Sequence, residues 1–285
     1  MKRLLILIAL VRVAHADDEP PLYSKTTGAA IIAGTWGTVS VWAYFAWFRH
    51  ATRTTDPIYT LEGFGVGTYA GGADKLGHFW AGHMLTYATT EALTHAGYRT
   101  LPSSLIALGI TQAFGTFSEY KDSLHYQFEF GDIIANCSGA VFTVLLENIP
   151  KLDRLLDFRV EYWPTHEYLR LLKHGNVDGA QDYSGQSYML ALHLREALPE
   201  SPWLGWGKYV DAVVGFESRN YAPQPDDPNA IPRQDLYLGI SVNMQAVLDS
   251  IFRDSLGRRI GKGVAEFITL PDTTLRFSEF QRELR

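Results

Sequence analysis

The chain has 285 residues, of which 46% are hydrophobic and 20% are charged, and its formal net charge at pH 7 is −6. This composition excludes a disordered or collagen-like chain, and without a run of lysine and arginine we expect no nucleic acid partner. The single cysteine, Cys137, excludes an internal disulfide and any zinc site built from several cysteines.

The first sixteen residues have the pattern of a secretory signal peptide. A basic start is followed by a nearly continuous apolar run over residues 4–13 and by the cleavage pattern Ala14-His15-Ala16. The apolar run is too short to span a bilayer, and a buried N-terminal helix is the alternative. We predict that residues 1–16 are removed and that the protein is exported to the cell envelope, either in the inner membrane or in the periplasm.

Residues 17–152 are predicted to form a bundle of four helices. No charged residue lies between Lys25 and Arg49, and this stretch has the length of a transmembrane helix. Further helices are predicted over residues 74–95, after Arg99 and over residues 132–147. The first run is both long and uncharged, so we expect a mainly α fold with a membrane-embedded bundle. A water-soluble bundle with a very apolar core is the alternative.

Polar side chains fall at matching ends of three of these helices. In an up-and-down bundle, the start of the second helix, the end of the third and the start of the fourth share one end. We therefore expect these side chains to point into a common volume. They are Asp74, Lys75 and His78 of the second helix, Glu119 and Asp122 of the third, and Asp132 and Asn136 of the fourth.

Three interpretations of this polar group remain open. Oxygen ligands with one imidazole suit a divalent cation such as Mg²⁺, Mn²⁺ or Zn²⁺, held by Asp74, His78, Glu119, Asp122 and Asp132. His78 with Glu119 or Asp122 can also form an acid–base pair that needs no metal. The third interpretation is a polar network that only fixes helix packing.

Some of these residues have simple structural explanations. Asp74 and Asp132 can be N-caps, and Asn136 can form a hydrogen bond between helices. Glu119 and Asp122 are harder to explain in this way, because acidic groups at the C-terminal end of a helix oppose its dipole. The two acids of the third helix are therefore the strongest functional candidates.

Three segments resemble a known sequence pattern. Residues 74–79, D-K-L-G-H-F, resemble the D-K-x-x-H-F opening of VanZ-like membrane proteins and of the YfiM-like family of predicted periplasmic lipoproteins. Residues 119–122 and 131–139 are similar to the later elements, E-x-x-[Q/D] and D-x-x-x-N-x-x-G. The resemblance covers about residues 70–145, and residues 182–188 are similar to a D-Y-x-x-Q segment of longer YfiM-like members.

Two departures limit what the resemblance implies. No lipid-carrying cysteine follows the signal, and the VanZ-like arginine between the Glu and the final Asp is absent, with Lys121 the nearest basic residue. The resemblance implies an envelope protein linked to surface or glycopeptide-antibiotic phenotypes, without an established reaction.

Residues 153–285 are predicted to form a small α+β region. Apolar and polar residues alternate over residues 210–216 and 236–244, which predicts two strands, with a long loop over residues 222–233 between them. Helices are predicted over residues 164–174, 184–198 and 246–253, and one or two strands at the end. The apolar strand faces can cover the bundle or lie against lipid, and Trp203 and Trp206 can be interface anchors or pack in loops.

Two classes of function follow. In the first, the protein is a non-enzymatic envelope protein whose polar group binds a lipid headgroup, a cell-wall precursor or a divalent metal, or fixes helix packing. In the second, it is a hydrolase or transferase acting on a lipid-linked or phosphate-bearing substrate, with Glu119 or Asp122 as base or metal ligand and His78 as acid or ligand. The sequence contains no nucleophile elbow, zinc-protease helix or P-loop, and it does not indicate an oligomeric state.

Overall fold

The computed structural model describes residues 20–49, 58–173, 179–198, 205–252 and 263–284. The predicted signal peptide and Trp203 lie outside the described residues. The chain divides into two compact units, which we call the helical unit (Met1–Leu61 and Ala81–Pro150) and the sheet unit (Glu62–Trp80 and Lys151–Arg285). The predicted division of the chain at residue 152 stays a prediction.

Long helices occupy the positions expected from the sequence. They are α1 (Lys25–Ala43), α2 (Ala73–Thr94), α3 (Thr100–Ser123) and α4 (Phe130–Asn148). Ser24 caps α1 by accepting a hydrogen bond from the backbone N–H of Thr27, and a π-helical segment, Tyr44–Phe48, follows α1. Shorter helices occur elsewhere in the chain, so the predicted number of four describes only the long ones.

A small parallel pair of strands precedes α4 in the helical unit. Strand β1 (Ile58–Thr60) pairs with β2 (Gln127–Glu129), and Thr60 lies opposite Glu129. Strand β2 forms the second half of the short connection between α3 and α4. It therefore positions the last residues before α4, which carry part of the polar group described below.

Side-chain hydrogen bonds and aromatic contacts join the long helices inside the helical unit. The indole Nε1 of Trp36 donates to Oγ1 of Thr89 at 3.1 Å, and the Trp36 ring lies 4.9 Å from that of Phe114. Deeper in the bundle, Nδ1 of His83 lies 2.7 Å from Oγ1 of Thr143. Hydroxyl groups on α2 thus find partners on neighbouring helices, which satisfies polar groups that burial would otherwise penalise.

Two helices of the described residues, Lys25–Phe48 and Phe130–Asn148, are long and apolar enough to cross a bilayer. This criterion uses length and composition alone, and core helices of soluble proteins meet it as well. Membrane embedding of the bundle therefore stays a prediction.

The sheet unit contains a six-stranded sheet with the order β7-β3-β4-β5-β6-β8. Neighbouring strands are antiparallel except for β3 and β7, which are parallel. The strands are β3 (Leu156–Tyr162), β4 (Gln186–His193), β5 (Val210–Arg219), β6 (Arg233–Val242), β7 (Ile268–Thr269) and β8 (Thr274–Glu283). The short helices among them are α5 (Pro150–Leu155), α6 (His166–Leu172), α7 (Leu194–Ala197) and α8 (Met244–Ile251).

The strands predicted over residues 210–216 and 236–244 are confirmed, but the helix predicted over residues 184–198 is wrong. Most of that segment is β4, and only Leu194–Ala197 is helical. Met189 and Ala191 have good helix propensity, yet both are buried between two neighbouring strands. Pairing on both edges of β4 outweighs the local preference of its residues.

Two glycines direct the chain into α2. Gly71 and Gly72 have φ angles of 58° and 84°, in the left-handed region that favours glycine. A Cβ atom on Gly71 would lie 2.5 Å from the ring of Tyr221, whose hydroxyl donates to the carbonyl oxygen of Val66. The amide of Gln234 donates to the carbonyl oxygen of Gly71 at 2.8 Å. The loop that leads to Asp74 is therefore held on the sheet.

Candidate functional site

Four carboxylates lie near the connection between α3 and α4. We call them the acidic cluster, and they are Glu119, Asp122, Glu129 and Asp132. Glu119 and Asp122 lie in the last turns of α3, Glu129 ends β2, and Asp132 lies in the first turn of α4. A tight turn after Asp122 and the short β2 are all that separate the two helices. The end of α3 and the start of α4 are therefore adjacent, as the sequence predicts.

The carboxylates of the acidic cluster lie close together and have little access to water. A carboxylate oxygen of Asp132 lies within 4.8 Å of one of Glu119 and of one of Glu129. The backbone N–H of Glu129 donates to Oε2 of Glu119 at 3.3 Å. Only 2% of Glu119, 5% of Glu129 and 8% of Asp132 is exposed. Like charges at this distance with so little hydration are costly unless protons or a cation offset them.

The proton affinity of two carboxyl groups reflects this crowding. Burial, together with the charges of Asp132 and Asp122, raises the pKa of Glu119 to about 9, while the hydrogen bond from the N–H of Glu129 opposes the shift. Burial, with a contribution from the charge of Asp132, raises the pKa of Asp122 to about 7. In the absence of a cation, Glu119 therefore holds a proton at neutral pH.

Asn136 lies one turn beyond Asp132 on α4, and it is almost fully buried. A Cβ atom on Gly82 of α2 would lie 2.3 Å from the carbonyl oxygen of Asn136, and one on Gly115 of α3 would lie 3.2 Å from its Nδ2 atom. Two glycines thus allow α2 and α3 to approach the Asn136 turn closely. This close packing holds the first turns of α4 in place beside the end of α3.

The structure does not support the interpretation of Asp132 as a helix cap. The N-cap of α4 is Glu129, and no side chain caps the helix there. Asp132 lies in the first turn, where the helix dipole favours a negative charge. Glu129 was not predicted from the sequence, because it lies in the connection between helices rather than at a helical spacing from another polar residue.

The other three predicted residues, Asp74, Lys75 and His78, lie in the first turns of α2 and belong to the sheet unit. Nζ of Lys75 donates to Oδ2 of Asp74 at 2.7 Å, and both side chains are buried. Lys75 is thus a counter-charge for Asp74, its neighbour in the chain. His78 is half-buried. That these residues share one volume with the acidic cluster stays a prediction.

A second charged group, which the sequence analysis missed, lies in the sheet unit, and we call it the ionic cluster. Nη1 of Arg159 donates to Oδ2 of Asp211 at 2.8 Å, and its Nε donates to Oδ2 of Asp157 at 3.1 Å. His193 bridges the same acids, with Nδ1 2.7 Å from Asp211 and Nε2 3.2 Å from Asp157. Two acids thus face two basic groups, and this balance is typical of a structural ion-pair network. The alternation of charges in β3 was the available signal.

The comparisons with known proteins give one family match. Residues 62–148 match the model of a family described as "Predicted periplasmic lipoprotein (DUF2279)". The search of curated proteins and the search of solved structures gave no match.

The family match covers under a third of the chain but includes the whole acidic cluster. It runs from the loop before α2 to the last residue of α4. The match confirms the predicted location in the cell envelope and supports the YfiM-like part of the resemblance. It gives no support to the VanZ-like part, and it names no reaction. Cys137, the single cysteine, lies within α4 and not behind the predicted signal peptide.

Proposed function

We propose that this envelope protein binds a divalent metal cation at the acidic cluster. The observation that carries the proposal is the closeness of buried acids around Asp132, which has a carboxylate oxygen within 4.8 Å of one of Glu119 and a carboxylate oxygen within 4.8 Å of one of Glu129. A hard cation binds carboxylate oxygens at roughly 2.0–2.6 Å, so oxygens at this separation can share one ion. Oxygen ligands favour Mg²⁺, Mn²⁺ or Ca²⁺.

The energetic argument concerns the charge that the cluster must balance. The charges of the neighbouring acids Asp132, Asp122 and Glu129 raise the pKa of Glu119. Without a cation, the cluster must hold protons to limit this repulsion. A divalent cation can replace those protons, and its binding then releases them to the solvent. The cluster is therefore better suited to holding a cation than to stabilising the helices by itself.

The sequence adds further ligands and a partner class to the proposal. His78 and Asp74 are the additional ligands that the sequence predicts, with Asp122 beside Glu119. A cation such as Mg²⁺ usually keeps water ligands that a phosphate oxygen can replace. We therefore include a lipid headgroup or a phosphate-bearing cell-wall precursor as the molecule that the cation would recruit.

The test is a titration of the purified full chain after removal of metal with a chelator. Isothermal calorimetry with Mg²⁺, Mn²⁺, Ca²⁺ and Zn²⁺ should show saturable binding with proton release for at least one ion. Glu119→Gln and Asp132→Asn should each weaken that binding at least about tenfold, the lower end of the usual effect of losing a site group. Glu196→Gln, a change at an exposed acid, should leave it unchanged. Absence of binding, or equal binding by all variants, would overturn the proposal.

One observation favours an enzymatic alternative. Asp122 has a pKa raised to about 7, which is near the value that an efficient general acid or base needs at neutral pH. In this alternative, Asp122 or Glu119 acts with His78 on a lipid-linked or phosphate-bearing substrate. Release of phosphate or of a headgroup from such substrates should then be lost in Asp122→Asn and His78→Ala at normal protein abundance. Unchanged turnover in both variants would exclude this role.

A further inference from the structure

Four strands of the sheet, β3 to β6, have their charges on one face. In β3, β4, β5 and β6, whose residues the structure describes in full, every Asp, Glu, Arg and His stands at an odd-numbered position. Paired strands keep odd-numbered residues opposite odd-numbered ones, as in the pair Asp211 and Ser241. Side chains alternate between the two faces of a sheet, so all of these charges lie on the same face.

The opposite face, which we call the outer face, carries a group of large exposed apolar side chains. Leu190, Val214 and Leu238 form one row across β4, β5 and β6. Leu236 pairs with Phe280, and Ile240 pairs with Leu275. The large exposed side chains are Leu190, Val214, Leu236, Leu238, Leu275 and Phe280, and between 39% and 66% of each is exposed.

The charged face is the interior of the sheet unit. Strands β7 and β8 are the two edges of the sheet, yet only residues 270–273 separate them in the chain. The sheet must therefore curl so that its edges approach, and Oγ1 of Thr274 in β8 indeed donates to Oε2 of Glu161 in β3 at 3.4 Å. Inside the curl, Arg276 donates to both oxygens of Glu217 at 2.9 and 2.8 Å. These two charged groups are thus paired inside the curl, while the large apolar side chains of the outer face lie on its opposite side.

We infer that the outer face lies against the hydrocarbon of a lipid bilayer. A sheet with one face in water normally carries its charges on the wet face. Here the buried charges share the interior with the core side chains Met189, Ala191, Val213 and Tyr237. The large exposed side chains of the opposite face are apolar, as they are on lipid-facing strands. Strands β5, β6 and β8 each have 10 residues, within the roughly 9–11 that a bilayer-spanning strand needs. This inference does not depend on the metal proposal.

Residues at the two ends of the outer face fit a membrane interface. Arg282 in β8 pairs with Gln234, which places an exposed cation at one end of the outer face, where lipid phosphates would attract it. Trp206 precedes β5 at the opposite end, and 61% of it is exposed. Tryptophan is enriched at the boundary between hydrocarbon and headgroups. The apolar rows thus lie between a basic end and an aromatic end.

The chain itself covers only part of the outer face, which indicates where the lipid contact begins. The ring of Phe79 lies 4.6 Å from that of Phe158 in β3, and the ring of Phe64 lies 5.6 Å from that of Phe216 in β5. Residues 62–80 therefore cover β3 and one part of β5. The exposed apolar rows on β4, β5, β6 and β8 continue from this covered region. The hydrocarbon of a bilayer is the apolar environment that would cover them.

The test compares two neighbouring positions on opposite faces of β8. Helix α1 is also long and apolar enough to cross a bilayer, so binding of the whole protein to vesicles would not identify the element that contacts lipid. In the full chain with Cys137→Ser, a cysteine replaces either Phe280 of the outer face or Glu279 of the charged face, and an environment-sensitive fluorophore labels it. Vesicles of phosphatidylethanolamine and phosphatidylglycerol carry nitroxide-labelled acyl chains. The Leu238→Cys variant repeats the outer-face measurement on β6, in case Phe280→Cys does not fold.

The expected result is that vesicles shift the emission to the blue and quench it at Phe280 and Leu238, with little effect at Glu279. Outer-face probes that stay in water while the protein binds the vesicles would overturn the inference. So would a blue shift without vesicles that grows with protein concentration, which would identify a second copy as the occupant. A probe buried at all concentrations without lipid would identify the chain itself as the occupant and would also overturn it.

Discussion

A Cβ atom on Gly82 of α2 would lie 2.3 Å from the carbonyl oxygen of Asn136 in α4, which is closer than any real contact of this kind. The Gly82→Ala variant must therefore push two helix backbones apart beside the acidic cluster. We expect it to lower the free energy of unfolding by about 1–3 kcal/mol, the usual cost of overpacking. Urea unfolding of the purified variant measures this change.

A matched control for this change lies on α3. Gly109 is exposed, and a Cβ atom there would meet nothing within 4 Å. Gly109→Ala should raise stability by about 0.5–1 kcal/mol, because alanine loses less backbone entropy in a helix. Equal effects of the two substitutions would mean that the close contact at Gly82 is absent in solution.

The acidic cluster should make the metal-free protein less stable as the pH rises. The pKa of Glu119 rises from its ordinary value of 4.5 to about 9 on folding, so the folded state binds the extra proton between these values. Its contribution to stability is complete below about pH 4.5 and is lost as the pH rises through 9. Asp122, with a pKa of about 7, adds a loss of the same sign at lower pH.

Thermal unfolding in the presence of a chelator at several pH values between 5 and 10 measures this dependence. Glu119→Gln should remove most of the slope above pH 7, because the amide cannot ionise. A saturating cation should also flatten the profile in the unmodified protein. A Glu119→Gln variant with an unchanged slope would mean that other groups cause the pH dependence.

The ionic cluster should be far more sensitive to loss of an acid than an exposed ion pair. Asp211 is fully buried and contacts both Arg159 and His193. Asp211→Asn leaves two basic groups with one acid, and removing one partner of a buried pair typically costs about 3–5 kcal/mol. Asp226 pairs with Arg170 on the surface, so Asp226→Asn should cost at most about 1 kcal/mol. Chemical unfolding of both variants tests the contrast.

The buried threonine of α4 should contribute to packing through its hydroxyl. Oγ1 of Thr143 lies 2.7 Å from Nδ1 of His83 and donates to the carbonyl oxygen of His83 at 2.9 Å. Thr143→Val keeps the shape but loses these bonds, and we expect a cost of about 1–3 kcal/mol. Thr38 is exposed on α1, and Thr38→Val should change stability by less than about 0.5 kcal/mol. A mild effect at Thr143, as small as that at Thr38, would contradict the expectation.

The sequence predicts the long helices and part of the acidic cluster because both depend on local signals. Charged residues bound the apolar stretches of α2, α3 and α4, and the order of those helices alone predicts that Glu119 and Asp132 meet. Glu129 was missed because its position depends on the pairing of β1 with β2, two short strands far apart in the chain. Contacts of this kind have no local pattern.

The sheet shows a different limit of sequence analysis. The alternation in β6 predicts a strand correctly, but alternation does not say which face meets water, and here the charged face is the buried one. Strand β4 was mistaken for a helix because Met189 and Ala191 suit a helix and because its pairing partners lie in distant parts of the chain. Pairing, which sets both outcomes, becomes visible only in three dimensions.

A sheet with ion pairs inside and leucine and phenylalanine side chains outside keeps an exposed hydrophobic surface after folding is complete. If the outer face contacts lipid, the purified native protein should self-associate in buffer that contains no detergent. High salt should fail to release the protein from membranes, whereas a mild detergent should release it in a folded, monodisperse form.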